Sequence, residues 1–225
     1  AGSALLLGLG VAAAIAYANA SASAQLAAQY PTSGGTYVYG RERLGPWWGF
    51  VAGWGFLVGK TASLAAMAMA LAAYAVPVTW QRPGAAGAVV VLTAVGYRGV
   101  TRTARMARVL VGLVLLVLGV VVAAGALGTP SAVAGPTAGA SGGWYGVLQA
   151  AGLLFFAFAG YARVATLGEE VRDPARTIPR AIGLALAVTT SVYLLVGVTL
   201  LSVLGPDDLA GSSEPLAAAV AASGW

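Results

Sequence analysis

One apolar segment combines aromatic and small residues in a way that could bind a small molecule. From Leu154 to Tyr161 it reads LFFAFAGY, with Gly160 inside a longer apolar run. A helix broken at this glycine would free backbone N–H and C=O groups, which a membrane tolerates only where they line a cavity or are buried in protein. Such half-helix ends can bind carboxylates and ions. The alternative is an ordinary packed helix with a face of small residues, and the residues alone favour neither.

A second candidate is Lys60, which lies near the middle of another apolar run. An ammonium group at the centre of a bilayer costs at least ~2.5 kcal/mol on insertion scales, so it should face a watery cavity or a partner group. There it could bind an acidic group or neutralise the site when a coupling ion is absent. The alternative is a snorkelling side chain or a purely structural pair. Arg163 lies closer to a span end and could reach the interface.

The third candidate is the charged segment from Gly168 to Arg180. Its opposed charges could form ion pairs that break when a transport path opens, and we predict this gate role for Glu169, Glu170 and Arg172. The alternative is a solvated loop, whose surface ion pairs contribute ~0–1 kcal/mol each.

The elements that position these residues must be apolar helices. Of the 225 residues, 59% are hydrophobic and 8% are charged, whereas soluble domains carry about 25% charged residues. No charged residue occurs in 1–40, 109–162 or 181–206, and each gap exceeds the roughly 20 residues that cross a bilayer. The runs do not alternate as β-barrel strands do. We therefore predict an all-α membrane protein, a polytopic helical bundle in contact with the lipid bilayer.

Six spans are predicted, at about 2–27, 47–77, 84–97, 106–127, 144–166 and 180–204. The loops on one side of these spans carry nine Arg residues, and the loops on the other side carry only Arg82. The positive-inside bias places the first set in the cytoplasm.

This orientation makes loops 28–46, 98–105 and 167–179 cytoplasmic in a multi-pass protein of the cell membrane. The opposite loop at 128–143 is rich in Gly, Pro, Ser and Ala, which predicts an extended connection. Both ends of the sequence would then lie outside, and no basic leader precedes the first apolar run. We expect a fragment of a longer chain that forms a single transmembrane domain.

Several function classes are excluded by what the sequence lacks. It contains no cysteine and no histidine, so disulfides, thiolate metal sites, Cys–His catalysis and a histidine proton relay are impossible. No nucleophile–base set, phosphate loop or metal cluster is present, so we predict neither an enzyme nor a bound cofactor. The net charge of +5 comes largely from Arg residues at span ends, which does not indicate a nucleic-acid partner.

Three stretches in combination resemble the amino acid permeases of the APC (amino acid-polyamine-organocation) superfamily. YPTSGGTYVY at 30–39 resembles the loop between family helices two and three, and Gly45-Pro46 and Gly53-Trp54 follow it as in the family. Residues 155–161 resemble the broken sixth helix, and 169–182 resemble the loop after it. The resemblance covers the whole chain as family helices two to seven.

This resemblance implies a five-plus-five inverted-repeat fold and secondary active transport of amino acids by alternating access. Transport would be symport or exchange, with a coupling proton or counter-substrate. The family site lies between the broken first and sixth helices, and the first is not among these residues. By this resemblance, Phe156, Ala157 and Ala159 would offer backbone or side-chain contacts to the substrate. Phe158 and Gly160 would shape the break. The implied substrate-binding residues are Phe156, Ala157, Phe158, Ala159, Gly160 and Tyr161.

Two departures from the family pattern bear on the substrate and its coupling. Many members carry an acid directly after the Gly-aromatic pair, where this sequence has Ala162, and some proton-coupled members carry a lysine where it has Val114. These departures argue against the usual proton-coupling and cationic-substrate assignments and leave Lys60 as a candidate for the coupling or site charge. A polyamine or organic-amine exchanger and a non-transporting membrane sensor or subunit remain alternatives.

Overall fold

A computed structural model describes residues 4–97, 100–127 and 143–223, without the side chains of residues 100–104. Within these ranges the regular elements are nine α-helices and one 3₁₀ turn at Val78–Trp80. In chain order the helices are α1 (Ala4–Gln29), α2 (Thr36–Leu44), α3 (Pro46–Ala75), α4 (Gln81–Tyr97), α5 (Val100–Leu127), α6 (Gly143–Phe158), α7 (Tyr161–Val164), α8 (Pro174–Gly211) and α9 (Pro215–Ala222).

The described residues confirm the prediction of an all-α polytopic membrane protein. Many large apolar side chains, such as Val109 and Leu116 on α5, are exposed on the outside of the bundle, which suits a lipid environment. The segments long and apolar enough to cross a membrane are Ala4–Gln29, Pro46–Ala75, Arg105–Leu127, Gly143–Val164 and Pro174–Gly211.

A helix also occupies the predicted third span, but it is short. α4 has 17 residues, which at 1.5 Å per residue extend about 25 Å, less than the ~30 Å of a hydrocarbon core. Its crossing of the membrane stays a prediction. The predicted extended connection at 128–143 lies, except for Gly143, outside the described residues, and so does Arg98 of the loop at 98–105.

Two predicted loops contain helical structure. The short helix α2 lies within 28–46, and α8 begins inside 167–179 with Pro174 in its first turn. Proline suits this position because the first N–H groups of a helix have no intrahelical partner. Near its other end α8 kinks at Gly205 (φ 74°, ψ 172°), directly before Pro206. The kink follows the predicted end of the sixth span at residue 204.

The interior is built around α1, whose buried face consists of small residues. Ala12, Ala16, Ala20 and Ala24 are buried, and their spacing of four places them on one side of the helix. α6 and α8 both pack against α1. Small side chains at such a seam let helix backbones approach closely in a membrane.

At Gly8 the backbones of α1 and α6 lie close together. A Cβ atom added there would lie 2.8 Å from the Cβ of Ala150 and 3.1 Å from the backbone nitrogen of Ala151. Neither neighbour has a flexible end that could move aside. The glycine is therefore what permits α6 to lie against α1.

We predict that Gly8→Val destabilises the protein by ~1–3 kcal/mol, the usual cost of overpacking. The added side chain would push α6 away from α1, and thermal unfolding in detergent would detect the loss. Gly10→Val is the matched control, because a Cβ at Gly10 would meet no atom within 4 Å. Equal melting temperatures for the two variants would contradict this account of the seam.

Candidate functional site

The segment Gly143–Val164, which is long and apolar enough to cross a membrane, is broken between α6 and α7. At the break, the N–H of Ala159 donates to the carbonyl of Phe156 (3.2 Å), and the N–H of Ala162 donates to the carbonyl of Ala159 (3.4 Å). Hydrogen bonds between residues three apart are those of a 3₁₀ turn, which has poorer geometry than an α-helix. The structure confirms the prediction of a discontinuous helix near 155–161.

Gly160 contributes to the break, but not by adopting a left-handed backbone conformation. Its backbone is in the ordinary helical region (φ −61°, ψ −31°), and an added Cβ would meet no atom within 4 Å. Neither backbone conformation nor packing requires glycine here. Its effect is to weaken the helix, by about 1 kcal/mol relative to alanine.

Two side chains from other helices bind backbone carbonyls at the break. The hydroxyl of Tyr193, on α8, donates to the carbonyl oxygen of Ala157 at 3.2 Å. The ammonium of Lys60, on α3, donates to the carbonyl oxygen of Ala159 at 3.2 Å. In hydrocarbon an unpaired carbonyl costs several kcal/mol, so these bonds stabilise the break.

Tyr193 also packs against the end of α6. Its ring meets that of Phe158 edge to face, with centroids 5.3 Å apart and planes at 70°. Phe158 is buried in the core cluster around α1. Tyr193 is not among the site residues predicted from the sequence. The available signal was its position inside an apolar span, because a buried tyrosine hydroxyl normally finds a hydrogen-bond partner.

The ammonium of Lys60 is half-buried and also lies 5.7 Å from the centroid of the Phe56 ring, a distance at which a cation is attracted to an aromatic face. Among the described residues the one ion pair joins Arg41 and Glu42, at 3.0 Å. Lys60 is thus held by a carbonyl and a ring rather than by a carboxylate. An ammonium has three donors, and one of them is used at Ala159.

A cavity of about 230 Å³ lies between the break and α8. Four of the predicted substrate-binding residues line it, whereas Phe156 and Ala159 do not, and the side chain of Phe156 is 47% exposed. In the described part of the chain no three acidic side chains cluster to hold a metal. The lining residues are Ala157, Phe158, Gly160, Tyr161, Val164, Ala185, Leu186, Thr189 and Tyr193.

Beyond α7, the chain is held by the loop that precedes α2. The backbone N–H and the hydroxyl of Ser33 both donate to one carboxylate oxygen of Glu169, at 3.1 and 2.9 Å; we call this pair the Ser33–Glu169 contact. Next to it, a Cβ added at Gly168 would lie 2.7 Å from the backbone of Pro31. The two loops therefore pack backbone to backbone.

A buried tyrosine extends this packing towards α7. The hydroxyl of Tyr39, on α2, donates to the carbonyl oxygen of Ala165 at 3.4 Å, and burial raises the pKa of the Tyr39 phenol. The phenol therefore stays protonated and able to donate. Glu170 and Arg172 are exposed, and neither forms an ion pair within the described residues. Their gate role stays a prediction.

The amino-acid sequence is similar to those of known membrane transporters. The sequence profile of amino acid permeases matches residues 1–225. An uncharacterized transporter of Mycobacterium tuberculosis is 58% identical over the whole chain, which spans 51% of that protein. Cationic amino acid transporter 1 of Arabidopsis thaliana is 27% identical over the whole chain and 41% of its own length. The branched-chain amino acid permease BcaP of Bacillus subtilis is 26% identical over 89% of the chain and 48% of its own length. The chain thus spans about half the length of these relatives, or less.

The Ser33–Glu169 contact should make stability depend on pH. The two hydrogen bonds from Ser33 hold the pKa of Glu169 below its usual range. The contact therefore stabilises the fold above the unfolded pKa of about 4.3 and loses this effect as the pH falls through the lower, folded pKa. We predict that Ser33→Ala lowers the melting temperature in detergent near neutral pH, and that its difference from the wild type shrinks in acid.

The control for this prediction is the same substitution in a Glu169→Gln background. There the group at residue 169 no longer titrates, so the effect of Ser33→Ala should not change with pH. A Ser33→Ala effect that is as large in strong acid as at neutral pH would show that the Glu169 carboxylate is not responsible.

Proposed function

This chain belongs to the amino acid permease family, and we propose that the protein is a secondary active transporter that carries amino acids across the cell membrane by alternating access. Transport is symport or exchange, with a proton or a counter-substrate as the coupling partner, and residues 1–225 form one transmembrane domain. The observation that carries the proposal is the broken membrane-crossing helix, whose backbone carbonyls receive polar side chains beside a cavity. The amino acid transporters of Arabidopsis and Bacillus support the substrate class.

An amino acid zwitterion matches the groups at the break. Lys60 has two ammonium donors beyond the one at Ala159, and these bind the substrate carboxylate. Carbonyl oxygens of the interrupted backbone accept hydrogen bonds from the substrate ammonium. The proposed binding residues are Phe156, Ala157, Phe158, Ala159, Gly160 and Tyr161.

The short helix α7 is the element proposed to move. It lies between the 3₁₀ turn of the break and the packed loops at Ser33 and Glu169. Hydrogen bonds at a water-exposed loop are exchanged for bonds to water at a small net cost. The Ser33–Glu169 contact can therefore open and close, and Glu169, Glu170 and Arg172 form the proposed cytoplasmic gate.

The orientation of the spans can be tested with reporter fusions. We expect a reporter fused after Arg105 to lie in the cytoplasm, because the Arg-rich loops stay on that side, and a reporter fused after Gly139 to lie outside. Alkaline phosphatase and green fluorescent protein, which are active on opposite sides, give the readout. A cytoplasmic signal at Gly139 would contradict the orientation.

We predict that Lys60→Met lowers amino acid uptake by reconstituted protein about tenfold or more, with a raised KM. A hydrogen bond to a charged group contributes ~1.5–3 kcal/mol, and 1.4 kcal/mol corresponds to a factor of ten in affinity. If Lys60 also carries the coupling charge, the pH dependence of uptake should flatten in this variant.

Two control variants separate the charge from the helix surface around it. Lys60→Arg keeps the cation and should retain part of the uptake. Thr61→Val alters an exposed neighbour whose hydroxyl binds the carbonyl of Leu57 on its own helix, at 2.9 Å, and should leave uptake unchanged. If Lys60→Met has normal uptake and normal pH dependence, Lys60 has no role in transport. Substrate binding without uptake by the wild type would indicate a sensor instead.

A further inference from the structure

We propose that the cavity between the break and α8 holds the side chain of the substrate and that it selects amino acids with neutral side chains. The inference rests on the proposed function, since it requires an amino acid bound at the break. It goes further by choosing among the substrates of the relatives, whose names include both cationic and branched-chain amino acids.

Among the residues that the structure describes, those that line the cavity carry no charge. Five of its residues are apolar side chains, one is Gly160, and the polar ones are Thr189, Tyr161 and Tyr193. A lysine, arginine or polyamine entering this space would bring a charge without a counter-ion, which is strongly unfavourable away from water. An acidic side chain would find no cation among the lining residues. A neutral side chain meets neither penalty.

A fixed charge at the break has the wrong sign for a cationic substrate. The ammonium of Lys60 binds the carbonyl of Ala159, and the next residue, Gly160, lines the cavity. A second cation at this place would be repelled, and the repulsion is weakly screened in a low-dielectric site. Lys60 therefore favours the carboxylate of the substrate and disfavours a basic side chain.

The size of the cavity sets a further limit. At about 230 Å³ it is smaller than the roughly 300–1,000 Å³ of sites for drug-sized ligands, which suits a single side chain. One wall is a face of α8, where Ala185, Thr189 and Tyr193 recur every four residues. Because the hydroxyl of Tyr193 is bonded to Ala157, Ala185 and Thr189 are the positions we assign to specificity.

The first experiment measures uptake by the full-length protein in liposomes, with radiolabelled alanine, leucine, arginine, glutamate and putrescine. We expect uptake of alanine or leucine, and uptake of arginine, glutamate and putrescine at least about tenfold lower. Arginine or putrescine uptake equal to that of leucine would overturn the neutral-side-chain inference and leave the proposed function standing. No uptake of any amino acid by folded protein would overturn both.

The second experiment places a charge in the cavity. Thr189→Asp should reduce leucine uptake and raise arginine uptake relative to leucine by about tenfold or more, because the carboxylate provides the missing counter-ion. Thr189→Asn has nearly the same shape without the charge and should not favour arginine. Identical selectivity of the two folded variants would show that the substrate side chain does not enter this cavity.

A third pair of variants tests volume and does not depend on a buried charge. Ala185→Leu should fill part of the cavity and reduce leucine uptake more than alanine uptake, by about 10–200-fold for a misfit of this kind. Ala187→Leu is the control, since Ala187 is exposed on α8 and does not line the cavity. An equal effect of the two substitutions on the leucine-to-alanine ratio would overturn the assignment.

Discussion

Inside a membrane every backbone carbonyl needs a hydrogen-bond donor. This requirement governs the structure. The 3₁₀ turn between α6 and α7 disturbs the helical ladder. The carbonyl of Ala157 is bonded to Tyr193, and the carbonyl of Ala159 is bonded to Lys60 as well as to the N–H of Ala162. These donors come from α8 and α3, on separate parts of the chain. The break therefore ties three helices together, and it brings the fixed positive charge to the same place. The proposed contacts with the substrate would use the same atoms that stabilise the break.

Precise placement of those atoms depends on packing further along α6. The alanine face of α1 and the close contact at Gly8 bring the backbone of α6 directly against α1. Phe158, the last residue of α6, is buried in the same cluster. The first half of the broken helix is thus rigidly held, and Tyr193 meets it through an edge-to-face aromatic contact. α6 is held by its packing, whereas α7 has only four residues. In the proposed function, α6 therefore forms the fixed side of the site and α7 the side that moves.

The contacts that hold α7 differ in their surroundings. On the side of the break the donors, Tyr193 and Lys60, lie on helices that are long and apolar enough to cross a membrane, where few water molecules are available to replace a lost partner. On the other side the Ser33–Glu169 contact is exposed, so water can take over its hydrogen bonds, while the Tyr39–Ala165 bond beneath it is buried. Motion of α7 is expected to begin at the exposed loops, because that is where a hydrogen bond is exchanged most cheaply. In the proposed transport cycle, the side of α7 next to the break then moves second.

The helical class, most helix positions and the position of the break could be predicted from the amino-acid sequence. Run length, charge gaps and the aromatic–glycine pattern are local properties of the chain, and they also showed that Lys60 needs a partner. The short helix α2 was missed, because a brief polar helix has no such signal. Three contacts could not be predicted and are seen only in the folded chain. Lys60 binds the carbonyl of Ala159, 99 residues away, and Tyr193 binds the carbonyl of Ala157. Glu169 binds Ser33 and not an arginine. The reason is geometric: a hydrogen bond between helices depends on their rotation and offset, which packing across the whole bundle sets.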